Sequence, residues 1–468
     1  MFVGRKAELD RLASLYEQDT FQMVVVYGRR RVGKTTLINE FCRDKRTLSF
    51  TALEQSDADN LADFNRSVAS FFGLPASMGG FSTWTDALSY VAERAKSERF
   101  VFVFDEFPYA AQRNEALPSL FQVAIDRVFK ETRAFLILCG SNQGFMESEV
   151  LGRKSPLFGR RTAQIKVGDL GFRDAAKMLS GLSAQEAFRF YGCFGGVPYY
   201  LQQVNPRESL RENLARLYFD PMGFLFEEPY GLLRQEFQEP ALYNSILRAI
   251  AAGANRAKEI ADRTGIVQTS LPRYLKALEN VGIIEKAVPF GENVETSKRG
   301  IYRLSEPCYM FWFRFVMPFT SDIEQGLGQA VVNALPEEQI NEYLGHRFEA
   351  LCAEWLADQA REGALPIAAT AVSSWWGTNP AKRAQDDIDV LAVDRVAKQL
   401  LIGECKYRES FDETAEIEDL ESKRGLVKDY VATNFMLFTK HEVSAATREK
   451  MAERADWHFV TLDEMYEG

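Results

Sequence analysis

The octapeptide Gly28-Arg-Arg-Arg-Val-Gly33-Lys34-Thr35 follows the β-branched run FQMVVVY and precedes the helical pattern TLINEFCRD. It reads G-x-x-x-x-G-K-[ST] in the strand–loop–helix setting that this spacing needs. The glycines allow the backbone of Gly28, Arg29, Arg30, Arg31, Val32 and Gly33 to curl until successive N–H groups face one anion. The N-terminus of the next helix adds positive potential. Lys34 has the reach for β- and γ-phosphates, and Thr35, with Thr36 beside it, supplies a hydroxyl for Mg2+. These residues are expected to hold a nucleoside triphosphate, ATP, for phosphoryl transfer.

A second strand, Phe100 to Phe104, ends in Asp105-Glu106. Asp105 is expected to hold Mg2+ through water, and Glu106 to orient or deprotonate the attacking water. The strand RAFLILCGS ends at Ser141-Asn142, where a polar side chain can touch the γ-phosphate or cap a turn. In Ser155-Pro-Leu-Phe-Gly-Arg160-Arg161, one arginine can act as a finger in cis or in trans, or both can be an exposed pair.

A different chemistry is written near the other end, in IDVLAVDRVAKQLLIGECKY, residues 388–407. Asp389 begins one apolar run, and Glu404 and Lys406 end the next. Glu404 and Lys406 are two apart, so they share a strand face. If the strands are antiparallel neighbours, Asp389 meets Glu404. Two such oxygen ligands suit Mg2+ or Mn2+, with Lys406 beside a metal-bound water or a phosphate. A surface ion-pair cluster would use the same residue types.

Strands alternate with helices up to about residue 165, which implies a parallel sheet covered on both faces. The chain then turns mostly helical, with a Gly-Gly-x-Pro break in FRFYGCFGGVPYYLQQV (188–204). Residues 240–305 read as short helices and a hairpin, and resemble a winged helix-turn-helix. Ala257–Thr264 would be its first short helix, Gly265 the turn, Thr269–Asn280 the recognition helix, and IIEKAVPF with GIYRLSE the wing. Arg273, Lys276, Lys298 and Arg299 could face DNA phosphates; the alternative is packing against protein. The aromatic run PCYMFWFRFVMPF (307–319) is expected between domains, ahead of a long helix near 335.

The chain has 468 residues, 46% hydrophobic and 26% charged, enough for more than one core. A net charge of −10 counts against non-specific coating of nucleic acid. Six scattered cysteines without a CxxC pair give neither a zinc site nor a disulfide framework. No apolar run approaches a membrane span and the N-terminus lacks a signal-peptide core, so a cytoplasmic protein without membrane association is expected.

FVGRKAEL, GRRRVGKTTL, VFVFDEF, LILCGS, SPLFGRR and GGVPYYL, in this order over residues 1–230, resemble the prokaryotic archaeal-type ATPases of the AAA+/STAND group. The resemblance implies Val3, Gly4 and Arg5 near the base and Pro198 near a lid, and its arginines hint at self-association. The C-terminal constellation is similar to the PD-(D/E)xK nuclease superfamily, whose helical acid falls on Glu349 in GHRFEALCAEWL. The expected elements are a helix at 335–361, strands near 367–376, 387–394 and 399–405, a helix at 414–430 and a strand at 433–439. Lys423 and Arg424 lie where basic residues can touch nucleic acid. Ile388 replaces the usual proline. The pairing with the ATPase also resembles a known C-terminal domain of unknown function.

The expected architecture is thus α/β and multidomain. A P-loop parallel αβα core (1–165) is followed by a helical lid (166–235), a winged helix-turn-helix (236–318) and a restriction-endonuclease-like domain (330–468). The expected function is an ATP-hydrolysing switch for a Mg2+-dependent nuclease-like domain acting on DNA. The alternative is a non-cleaving, ATP-dependent regulator that binds DNA or protein.

Overall fold

The β-branched and aromatic runs of the first third form strands because both their faces are covered. In the computed structural model, which describes residues 2–75 and 80–467, the order is α1 (Lys6–Glu17), β1 (Gln22–Tyr27), α2 (Lys34–Cys42), β2 (Thr47–Thr51), α3 (Asp57–Phe72), α4 (Trp84–Ser97), β3 (Val101–Asp105), α5 (Phe107–Arg113), α6 (Leu117–Arg127), β4 (Phe135–Gly140) and β5 (Ala163–Lys166). The sheet runs β2-β3-β4-β1-β5, with every pairing parallel. β1, β3 and β4 are buried at every residue, as helices on both faces require. One face packs Leu12, Val24, Leu37 and Phe41 together, and the other Phe50, Phe64, Trp84 and Phe104. Since β3, β4 and β1 are neighbours, the segments leaving their C-terminal ends lie side by side, where open α/β sheets place ligands. β5 was not expected: it is four residues long, on the edge and mostly solvated, so its apolar signal is weak.

The chain divides into two units, Met1–Leu170 with Val197–Tyr199, and Gly171–Gly196 with Tyr200–Gly468. The second opens with helices Phe172–Met178, Ala184–Phe194, Leu210–Tyr218 and Glu228–Glu236. Helices Pro240–Ala251, Ala257–Thr264 and Leu271–Asn280 follow, with Gly265 turning at φ 70° after the middle one. Then β6 (Ile284–Ala287) and β7 (Ile301–Leu304) pair antiparallel. The aromatic run is buried inside this unit. Trp312 Nε1 donates to the Phe226 carbonyl at 2.8 Å, and the Phe311 ring meets those of Tyr218 and Tyr343.

The last stretch is the helix Glu337–Glu362, β8 (Ala371–Asn379), β9 (Ala384–Asp394), β10 (Gln399–Lys406), a helix Glu413–Ser422, β11 (Val431–Thr439), a helix Ala445–Met451 and β12 (Trp457–Thr461). The sheet order is β12-β11-β10-β9-β8. β9 is antiparallel to β8 and β10, and β11 is parallel to β10 and β12. The helix expected over 414–430 ends at Ser422. The strand expected near 367–376 begins at Ala371 and extends to Asn379, and β12 is additional. No described helix is long and apolar enough to cross a membrane. The six cysteines are free.

Candidate active site

β1 delivers the chain to Gly28, and α2 starts at Lys34 after Gly33 at φ 92°. Between them Arg31 is left-handed at φ 72°, a conformation that costs a side-chain-bearing residue about 1–2 kcal/mol. Gly28 meets a close approach: a Cβ there would lie 2.2 Å from the Val167 carbonyl oxygen. The buried Lys34 donates from Nζ to the carbonyls of Gly28 (2.9 Å) and Arg29 (3.0 Å), which folds its ammonium back on the curl. Thr35 and Thr36 are exposed in the first turn of α2. Thr35 Oγ1 donates to Asp105 Oδ2 at 3.1 Å. Asp105 Oδ1 accepts the Glu106 N–H at 2.9 Å. Glu106 Oε2 accepts from the Ser141 N–H (3.2 Å) and hydroxyl (2.9 Å). Three adjacent strand ends therefore bring Thr35, Asp105, Glu106 and Ser141 into one row, next to Lys34. The Thr35 hydroxyl and Asp105 carboxylate form the paired oxygen donors that suit Mg2+.

Other candidate residues find partners within the protein. The Arg29, Arg30 and Arg31 side chains, grouped with the nucleotide ligands from sequence, run to protein partners. Arg29 forks onto Asp169, Arg30 donates to the Tyr109 hydroxyl, and Arg31 lies 5.4 Å from the Tyr199 ring centre. What they give the curl is their backbone. Asn142 Oδ1 accepts the Phe145 N–H at 2.9 Å and caps a helical turn, the second of its two sequence readings. Arg160 binds Asp126 on α6 from Nε (3.1 Å to each oxygen) and the Pro156 carbonyl. That pairing holds Asp126 at about pKa 2. Arg161 donates to the Leu151 carbonyl at 3.2 Å. These contacts occupy the two candidate fingers within their own unit. Val3 and Gly4 lead into the turn before α1, and Arg5 donates to the Val32 carbonyl at 3.1 Å and to that of Gly168. The Pro198 ring lies 3.9 Å from where a Cβ on Gly33 would stand.

In the second unit, Glu349, Asp389, Glu404 and Lys406 line one cleft of about 510 Å³. β9 and β10 pair antiparallel up to Val390 opposite Gly403, so Asp389 and Glu404 occupy the next position in register. Between β8 and β9 the register slips: Ser373 opposes Leu391 but Trp375 opposes Ile388, so β9 carries an extra residue beside Asp389. Such bulges re-aim side chains. Here Asp389 Oδ2 accepts the Cys405 N–H at 2.9 Å. Burial pushes the Asp389 carboxyl up to about 8, with Glu404 and Glu349 adding to the effect.

Glu404 is claimed from two sides. Lys406 Nζ lies 2.8 Å from Oε1, and Lys423 Nζ 3.3 Å from Oε2. Lys423, 4% exposed, also meets Asp419 at 3.0 Å and Asp386 at 3.7 Å. Burial works against the charge on Lys423, yet these carboxylates raise its pKa. Lys423, which the sequence placed where basic residues can touch nucleic acid, faces inward onto these carboxylates. Arg424 lies over the Phe435 ring and donates to the Ala432 carbonyl. Glu349 pairs with His346 at 3.4 Å, which raises the imidazole pKa. Among the described residues, no three His, Cys, Asp or Glu side chains stand close enough to hold a metal ion. Asp389 and Glu404, the expected divalent pair, share the cleft, and two ammonium groups hold Glu404.

The hairpin loop between β6 and β7 lies on this C-terminal sheet. The Phe290 N–H donates to the Ser374 carbonyl at 2.9 Å, and its ring meets Tyr430 edge-on at 5.2 Å. Arg299 donates to the Trp376 carbonyl at 3.3 Å and pairs with Glu292. Arg273 and Lys276 are 69% and 71% exposed on their helix.

Residues 2–204 match a family described as an ATPase domain predominantly from Archaea. Residues 312–417 match one of archaeal and bacterial proteins of unknown function. An uncharacterized protein of Methanocaldococcus jannaschii is 31% identical over 91% of this chain and 92% of its own. An uncharacterized ATP-binding protein of Pyrococcus horikoshii is 25% identical over 45% of this chain and 77% of its own. Among solved structures, the Walker-type ATPase of Pyrococcus abyssi is 18% identical, with a TM-score of 0.49 over 67% of this chain and 96% of that one.

Proposed function

The chain belongs to the family of ATPase-domain proteins predominantly from Archaea, and on that premise we propose that it binds ATP with Mg2+ and hydrolyses it at the row from Lys34 to Ser141. The observation that carries this reading is the Thr35–Asp105 contact of 3.1 Å, which joins the phosphate loop to the acidic strand end. The backbone N–H groups of Gly28 to Thr35 bind the phosphates, and Lys34 exchanges its loop carbonyls for phosphate oxygens. Thr35 and Asp105 hold the Mg2+, which when bound neutralises charge on the β- and γ-oxygens. Ser141 fixes one oxygen of Glu106, so the other can face the attacking water and orient or accept its proton. Pro198 covers the loop from the Gly33 side. Lys34→Ala should abolish ATP turnover, measured as released phosphate; unchanged turnover would remove the assignment.

For the rest of the chain we favour the non-cleaving regulator. Three helices and a hairpin fit a winged helix-turn-helix, and β8 to β11 with their helices fit a nuclease-like domain. The lysines on Glu404 and the loop seated on β8 both favour a protein-packing role. Exposed Arg273 and Lys276 would be the DNA contacts if the helix docks there. A cleavage assay on DNA and RNA with Mg2+ or Mn2+ should show no scission. Scission that disappears in both Asp389→Ala and Lys406→Ala would overturn this reading in favour of a nuclease switch.

A further inference from the structure

A phosphate loop works by holding N–H groups still, and something outside it must hold its other side. We propose that Asp169 is the positioning residue that does this, acting through Arg29; the proposal rests on nucleotide binding at the loop.

The wall behind the curl is residues 167–169, the extension of β5. The Val167 N–H donates to the Tyr27 carbonyl at 2.7 Å. Gly28 then passes so close to the Val167 carbonyl that no side chain fits between. Arg5 donates to the carbonyls of both Val32, on the loop, and Gly168, on the wall. Arg29 completes the join. Its Nε donates to Asp169 Oδ1 at 3.2 Å and its Nη2 to Oδ2 at 2.6 Å, a two-pronged geometry that fixes orientation as well as distance. Arg29 is 5% exposed, so the fork meets a buried charge.

The loop needs such bracing. Gly33 and the non-glycine Arg31 are both left-handed, and a conformation of that kind persists only where its surroundings over-determine it. Arg29, Arg30 and Arg31 point to three elements: Asp169 beyond β5, Tyr109 on α5 and Tyr199 in the segment 197–199. Asp169 carries a full negative charge, and its loss removes both prongs of the fork from a buried guanidinium.

The test measures affinity of the full chain for a fluorescent ADP analogue alongside the nucleotide-free melting temperature. Asp169→Asn keeps shape and removes charge. It should weaken ADP binding about tenfold or more, the factor matching loss of one charge-assisted hydrogen bond. Arg29→Lys keeps charge and removes the fork, and should do the same, which covers the case where Asp169→Asn does not fold. The double variant should lose little beyond either single, because both remove one interaction. Wild-type affinity in Asp169→Asn, losses that multiply in the double variant, or a melting-temperature loss with affinity intact would overturn the proposal. A wild-type protein that binds ADP but does not turn over ATP would sink the hydrolysis reading and leave this affinity test readable.

Discussion

Glu354 shows how a single side chain is set by burial rather than by its own chemistry. It lies on the helix Glu337–Glu362, accepts the Phe172 N–H and the Tyr191 hydroxyl at 3.1 Å each, and still has its pKa raised by burial above the ordinary 4.5. The folded protein thus holds this proton more tightly than the unfolded chain. Stability is lost as pH rises from about 4.5 to the raised folded value, and is level above it. Glu354→Gln cannot titrate. The denaturation midpoint of wild type relative to that variant should therefore be highest near pH 4 and fall toward pH 7; a constant difference would show that Glu354 titrates normally. At the same scale, the placement of Lys34, Thr35, Asp105 and Glu106 was legible because each sits at a loop or strand end that a local pattern marks. Asp169, Tyr109 and Lys423 were not. They act on partners 140, 79 and 19 residues away, and no spacing rule spans those gaps.

Elements carried more of their own information than their partners did. The helix Ala257–Thr264, the turn at Gly265 and the hairpin β6–β7 formed where expected, while the helix expected from Thr269 begins at Leu271. What the hairpin loop touches was invisible: Phe290 read as the end of a wing strand and Arg299 as a candidate contact to DNA phosphates. Their seats are the Ser374 and Trp376 carbonyls, beside the slip in the β8–β9 pairing. Phe290→Ala should lower the stability of the second unit by about 1–2 kcal/mol, under half of a fully buried aromatic truncation, in a urea melt followed by tryptophan fluorescence. An unmoved midpoint would mean that the loop does not bear on this sheet.

Across the whole molecule, the sequence by itself determined the strand–helix alternation, the phosphate loop and its acidic neighbour, and the order of elements around Asp389 and Glu404. Each depends on local propensity, on period, or on a short motif whose backbone geometry admits few residue types. Tertiary structure alone decided the two-unit division, in which Val197–Tyr199 joins the first unit while the residues on either side join the second. It also decided which charges meet. The three loop arginines turned to protein, Arg160 went to Asp126, and two lysines settled on Glu404. A long cation can reach any carboxylate within several ångströms of its backbone, so its partner is fixed only once distant strands and helices have packed.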